Sequence, residues 1–248
     1  MIEGNSLNEF EDPAGYETLE LFADTNRFNR WMFDTLKPFC TDHILEIGSG
    51  IGNISAFLIR NFKEVSLSDM RQEYCSVLEK KFRQSENLKG IYLIDLADRF
   101  VDQNHPELMC KFNTILASNV VEHIEDDGQA VSNCYKLLAP GGHLVILVPA
   151  YRGLYNSFDR SLGHYRRYTR KSLTKLMERE GFEILETKYF NAMGMLGWWF
   201  SGTVLKKEIL PKNQLNLYNK LIPLMRLADI ATLHRTGLSV IAVGKKIK

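Results

Sequence analysis

The stretch HILEIGSGIGNIS (residues 43–55) passes from a short apolar run into three glycines spaced two apart, Gly48, Gly50 and Gly52. A buried strand that falls into a glycine-rich turn and then a helix opens a nucleotide-binding βα unit, because glycine lets the backbone approach a ligand with no Cβ in the way. The dinucleotide form of that turn needs G-x-G-x-x-G. Counted from Gly48, its third glycine falls on Asn53, so the pattern fails by one residue. Asn53 reads instead as a cap for the helix NISAFLIRNF (residues 53–62).

Outward from the turn, strands and helices alternate. EVSLSDM (64–70), GIYLID (90–95), FNTILASN (112–119) and HLVILVPA (143–150) read as buried strands. Between them QEYCSVLEKKFR (72–83) and DGQAVSNCYKLLAPGG (127–142) read as helices, the second ended by its Pro-Gly-Gly turn. Such an order predicts an α/β fold, a doubly wound sheet covered by helices on both faces. Upstream, residues 1–14 read as a loose polar arm, and apolar residues from Tyr16 to Leu36 recur at helical spacing with a break near Asp24 to Asn26. Downstream, a basic aromatic loop (151–170) leads to a helix (170–180) ended by Gly181 and a strand FEILETKYF (182–190). A long apolar insertion then precedes a last strand, LSVIAVGKKI (238–247). The predicted organisation is an N-terminal arm and helices over residues 1–37, a core over 38–190 and 237–248, and a helical cap over 191–236.

A chain of 248 residues with 45% apolar content can fill a sizeable core. It has no run approaching the roughly 20 apolar residues of a spanning helix, and its acidic start lacks the order of a signal peptide. A cytoplasmic protein is expected, with peripheral contact to a membrane left open. Cys40, Cys75, Cys110 and Cys134 form no CxxC pair and are read as buried thiols. The net charge of +1 hides an asymmetry: residues 1–149 carry 13 Lys+Arg against 23 Asp+Glu, residues 150–248 carry 18 against 7. A basic half can mark a face for an anionic substrate, nucleic acid or membrane, or the two halves can attract each other.

Three carboxylates, Glu46, Asp69 and Asp95, arrive at strand ends along one edge of the sheet. They would repel a phosphate and hold a ligand with ribose hydroxyls, an adenine amino group and a cationic part. At this point the chain resembles a class I S-adenosylmethionine-dependent methyltransferase over residues 40–190 and the final strand. LEIGSGIG is similar to that family's first motif, LSD at Asp69 to its second, LIDLAD to its third, ILASNVVEHIED to its fourth, and LLAPGGHLVILVP to the following helix and strand. The resemblance implies a seven-stranded sheet with the last strand antiparallel, and S-adenosyl-L-methionine as cofactor. It further implies that Glu46, Gly48, Gly50 and Gly52 line the methionine, that Asp69 beside Met70 takes the ribose hydroxyls, that Asp95 and Leu96 hold the adenine, and that Ser118 and Asn119 flank the sulfonium.

Methyl transfer from a sulfonium is an in-line displacement that needs a base only when the acceptor begins protonated. VVEHI (120–124) places Glu122 and His123 just past the fourth strand. In two branches of the family a similar stretch reads E-x-x-E-H and binds a divalent metal; here Asn119 stands at its first position and no metal is assigned. The string DRSLGHYRRYTRKSL (159–173) packs His164, Tyr165, Arg166, Arg167 and Tyr168 into five positions. His123, His164 and Tyr165 are the candidate catalytic residues; Arg166, Arg167, Tyr168, Trp198 and Trp199 are the candidate acceptor contacts. The guanidinium forks suit carboxylate or phosphate, and the alternative is that Arg166 and Arg167 pair with acids of the first half. In the insertion, MGMLGWWFSGTVL (193–205) and NKLIPLMRLADIATL (219–233) suit a lid, a dimer surface or an interfacial helix.

The expected function is methylation, on oxygen, of a small hydrophobic acceptor that carries an acidic group or is lipid-linked, by a monomer or homodimer. The alternative is an RNA or protein methyltransferase docking through the basic half; a near-neutral chain with no appended module counts against nucleic acid.

Overall fold

Strands buried on both faces put alternate residues into two separate cores, and in this chain the alternation is carried by every central strand. Along residues 144–148, Leu144, Ile146 and Val148 enter one core while Val145 and Leu147 enter the other. The computed structural model of the chain describes residues 13–23, 25–207 and 212–247. The loose arm expected at the N-terminus falls, over residues 1–12, outside the described residues.

The elements run α1 (Pro13–Ala23), α2 (Asn26–Leu36), β1 (His43–Ile47), α3 (Ser55–Asn61), β2 (Glu64–Asp69), α4 (Gln72–Phe82), β3 (Leu88–Leu93), α5 (Val101–Asn104) and β4 (Phe112–Ser118). They continue α6 (Asp127–Leu137), β5 (Leu138–Pro149), α7 (Ser157–Ser161), α8 (Arg170–Arg179), β6 (Phe182–Phe190), α9 (Gly194–Trp199), α10 (Lys212–Ala231) and β7 (Ser239–Lys246). The strands form one seven-stranded sheet in the order β3-β2-β1-β4-β5-β7-β6. β1 to β5 pair in parallel, and β7 runs antiparallel to both β5 and β6. One core packs α6 and α8 onto the sheet; the other packs α2, α3, α4 and α10.

Strand order reverses between β1 and β4, and there the loops after the two strands part to opposite faces and leave a crevice. The insertion after β6 supplies α9, a π-helical turn (Phe200–Val204) and α10. It is anchored by the Asp229 carboxylate, 1% exposed, which accepts the backbone N–H groups of Asn191 and Ala192 at 2.7 and 2.7 Å.

Three local readings change. α6 ends at Leu137, before the Pro-Gly-Gly turn, because Leu138 already pairs with Phe112; the glycines sit within β5 at a bulge where Gly141 takes φ +79°. Asn53 does not cap α3, whose cap position is Ile54; its Nδ2 donates to the Leu19 carbonyl of α1 at 2.8 Å. Cys110 is exposed, whereas Cys40, Cys75 and Cys134 are buried.

Candidate active site

At the crevice lies a cavity of about 940 Å³, and the glycine turn forms its floor. Three amides of the turn are spent inside the protein. Ser49 N–H donates to the Ser68 carbonyl and Gly52 N–H to the Ser49 carbonyl, both at 2.9 Å, and Gly50 N–H donates to Asp69 Oδ2, also at 2.9 Å. A turn whose amides are satisfied in this way is no nest for a pyrophosphate. Gly48 and Gly50 take φ of +67° and +53°, which side-chain-bearing residues rarely adopt.

Asp69 accepts Gly50 N–H on one oxygen and Arg71 N–H, at 3.1 Å, on the other, so each oxygen keeps a lone pair for a hydroxyl. Burial raises its carboxyl above the usual range against those two bonds. Asp95 accepts Ala97 N–H at 2.8 Å and stays exposed at the end of β3. Glu46 is buried below the turn, takes a short bond from Ser55 Oγ, and is pushed by burial to a pKa of about 7. Around the glycine turn the crevice thus gathers three carboxylates, Glu46, Asp69 and Asp95, with Arg71 beside them, a set that fits a ribose and a sulfonium better than a phosphate.

Across the cavity from these acids, the loop after β5 folds over the loop after β4. Tyr165 N–H donates to the Glu122 carbonyl at 2.8 Å, which brings His164 against His123 with ring centroids 4.6 Å apart at 84°. Asp159 is fully buried and binds His164 Nδ1 and Arg167 Nε, each at 2.8 Å. Burial pushes Asp159 up, but its bonds to His164 and Arg167 outweigh that and hold the carboxyl below its ordinary range. An ionised Asp159 accepts from Nδ1–H, so the tautomer that leaves Nε2 as a proton acceptor is favoured. Beside them Glu122 is 0% exposed, neither of its oxygens has a hydrogen-bond partner among the described residues, and burial raises it to about 8. Glu122, His123 and His164 each bring one ligand-type atom within 4.8 Å of the others, a set that can share a proton or close on a cation.

The cavity is lined by His123, His164 and Tyr165, by Glu46, Gly48, Gly50, Asp69, Met70, Asp95, Leu96, Ser118 and Asn119, and by Arg167 and Trp198. Four expected site residues lie outside its lining. Gly52 faces the core, where an added Cβ would stand 2.5 Å from the Phe82 ring. Arg166 is turned to Asp127, 2.8 Å away, and to the Glu125 carbonyl. Tyr168 is buried with its hydroxyl on Asp127 at 2.9 Å. Trp199 points outward, 46% exposed, because successive helix positions lie about 100° apart and its neighbour Trp198 takes the inward one. Arg167 lines the cavity yet is held, its guanidinium bound to Asp159 and the Ala150 carbonyl and 5.0 Å from the Trp198 ring.

Sequence reasoning missed the apolar roof. Leu19 and Phe22 of α1 and Phe28 and Met32 of α2 line the cavity. Their helical spacing was visible, but nothing local says that the buried face of two leading helices covers a ligand rather than the sheet. Asp159 was also missed, although it stands in the same string as His164.

The methyltransferase-domain family model matches residues 17–187. Probable polyketide synthase 41 of Dictyostelium discoideum is 22% identical over 215 residues, which cover 77% of this chain and 8% of that protein. The mitochondrial methyltransferase OMS1 of Saccharomyces cerevisiae is 25% identical over 167 residues, 62% of this chain and 34% of that one. This chain thus spans only a small part of the curated proteins it matches. Among solved structures, phosphoethanolamine N-methyltransferase 2 of Haemonchus contortus, in complex with phosphomonomethylethanolamine and S-adenosylhomocysteine, superposes with a TM-score of 0.61 at 16% identity, over 98% of this chain and 61% of that one.

Proposed function

Because the chain belongs to the methyltransferase-domain family, with the class I S-adenosylmethionine-dependent fold, we propose that it methylates an oxygen of a small, largely apolar acceptor, with His164 as the base. The observation that carries this reading is the buried Asp159–His164 pair at the wall of the cavity. A base is needed where the accepting atom begins protonated, as a hydroxyl does at neutral pH. When bound, the cofactor supplies an electrophilic methyl group on a sulfonium. Asp69 would accept the ribose hydroxyls, Asp95 and the Leu96 backbone would hold the adenine, and Glu46 with the Gly48–Gly50 backbone would hold the methionine. Ser118 and Asn119, at the end of β4, line the same cavity and would flank the sulfonium.

Phe158 and Trp198, with ring centroids 4.8 Å apart, give the acceptor end an apolar wall and help exclude water. Arg167 is the one arginine of the GHYRRY string at the wall, and its guanidinium, bound to Asp159 and the Ala150 carbonyl, acts there to fix Asp159 under His164. The reading of the basic half as a nucleic-acid or protein docking face is weakened by where its cations go: Arg166 pairs with Asp127, Arg226 with Asp34, and Lys246 donates to the Tyr135 and Leu138 carbonyls.

Incubation of the chain with labelled S-adenosylmethionine and fractionated cell extract tests the reading. Label is expected in a small, base-stable, organic-extractable methyl ether; label confined to RNA or protein, or to a base-labile methyl ester, would overturn it. A second reading follows from Glu122, whose unpartnered carboxylate beside two histidines suits a divalent cation that would itself acidify the acceptor hydroxyl. Activity abolished by EDTA and restored by Mg²⁺ or Zn²⁺ would select that reading over the metal-free base.

A further inference from the structure

The cap carries two apolar helix faces turned away from the protein. On α9 and the π turn, Leu196, Trp199, Phe200 and Val204 recur at three- and four-residue spacing, and each is between 46% and 73% exposed. On α10, Ile222, Met225 and Asp229 are buried against the body while Leu217, Leu221, Leu224 and Leu227 are each between 37% and 63% exposed, Leu224 and Leu227 on the side opposite the buried face. Ser201 Oγ donates to Gln214 at 3.3 Å and ties the two helices together. Soluble monomers rarely present such patches without a use for them.

Charge says what the patch meets. Between residues 191 and 237 the sequence has six Lys+Arg and two Asp+Glu. Of the acids, Glu208 lies outside the described residues, and Asp229 is buried with both oxygens on backbone amides. Lys206 follows the first apolar face, Lys220 sits within the second, and both are exposed. Leucine and aromatic side chains flanked by lysines, with no exposed acid among the described residues of 191–237, are the signature of a helix that lies in a lipid interface. No helix of the described residues is long and apolar enough to cross a membrane, so the contact is with its surface.

We propose that the outer face of α9, the π turn and α10 docks on an anionic lipid surface. Docking there places the membrane against the same helix that lends Trp198 to the cavity, so an apolar acceptor can pass from the lipid to the site. This inference does not rest on the methylation reading, since binding is measured without turnover.

The full chain is floated with phosphatidylcholine vesicles that carry or lack phosphatidylglycerol. It should float with the anionic vesicles, with a blue shift of tryptophan emission, and stay behind with the neutral ones. Phe200→Ser with Leu224→Glu should abolish flotation. Lys206→Glu should weaken it roughly fivefold or more. All three positions are exposed and outside the cavity lining, so thermal melting and S-adenosylhomocysteine affinity should not move; a variant that loses both has misfolded, and the lysine substitution then decides. Equal failure to float with either vesicle would overturn the proposal, as would light scattering that finds a dimer which Leu224→Glu turns into monomer, because the face would then serve a second copy.

Discussion

Asp159 carries three bonds on a carboxylate with no exposed surface: His164 Nδ1 and Arg167 Nε at 2.8 Å each, and the Asn156 backbone N–H at 3.0 Å. Its two side-chain partners make different claims on it. Removal of the charge in Asp159→Asn strands a guanidinium that is only 1% exposed, so unfolding free energy should fall by about 3–5 kcal/mol in a urea titration. His164→Gln leaves the Asp159–Arg167 pair intact; it should fold normally and lose about 10²–10⁴ in kcat. An unchanged kcat in that variant would remove His164 from the chemistry. Glu46 sets a pH dependence of its own. Its pKa is raised from 4.5 to about 7, so the folded chain retains a proton that the unfolded chain releases. Stability contributed by neutral Glu46 is therefore fully present below about 4.5 and is lost as pH rises toward about 7. The slope is at most about 1.4 kcal/mol per pH unit. Denaturation midpoints across that window should show the fall, and Glu46→Gln should flatten it.

Among the elements, α1 is the one whose role is least visible in isolation. Asn53, the residue that breaks the dinucleotide pattern, holds the Leu19 carbonyl, and the Leu19 side chain lies 2.8 Å from where a Cβ on Gly50 would stand. The glycine turn is thus clamped between β2 and the N-terminal helix. Gly50→Ala meets only the tip of a flexible leucine, which can turn aside, but takes a φ of +53°; the strain falls on the turn, and the variant should reduce cofactor affinity by calorimetry. In Gly52→Ala, at φ +80°, the new methyl meets the Phe82 ring at 2.5 Å, and the damage falls on the core between α3 and α4. That variant should lose about 1–3 kcal/mol of stability or more. The contrast separates two glycines that look alike in GSGIG, and it shows where local reading stops. Strand and helix periods are properties of a segment, so β1 to β7 could be read from apolar runs. Whether a glycine faces ligand or core depends on which distant side chain packs on it.

On the scale of the molecule, the opposite charges of the two halves meet. Arg166–Asp127 and Arg226–Asp34 join residues from either side of residue 150, and both are partly exposed, so each is worth little by itself. The larger consequence is topological. The seven strands and the antiparallel last one were legible because the ordered motifs carry a fold with them, and the carboxylates at or near the ends of β1, β2 and β3 came from the ends of the apolar runs. The placement of α1, α2 and α10 was not legible, because these helices contact each other and the sheet across most of the chain's length. Asn219 Oδ1 accepts the backbone N–H groups of Arg27 and Phe28, and so pins α10 to the start of α2 over a separation of more than 190 residues. Cofactor in the crevice would add contacts to the roof made by Leu19, Phe22, Phe28 and Met32 as well as to the turn. Binding at a hundredfold excess over Kd stabilises the folded state by about 2.7 kcal/mol, which for a domain of this size raises Tm by roughly 5–10 °C. Hydrogen exchange should locate that gain: with S-adenosylhomocysteine, protection should rise over 15–23 and 28–33 together with 46–54, and stay unchanged over 217–230. Protection confined to 46–54 would mean that α1 and α2 pack on the sheet alone and take no part in closing the site.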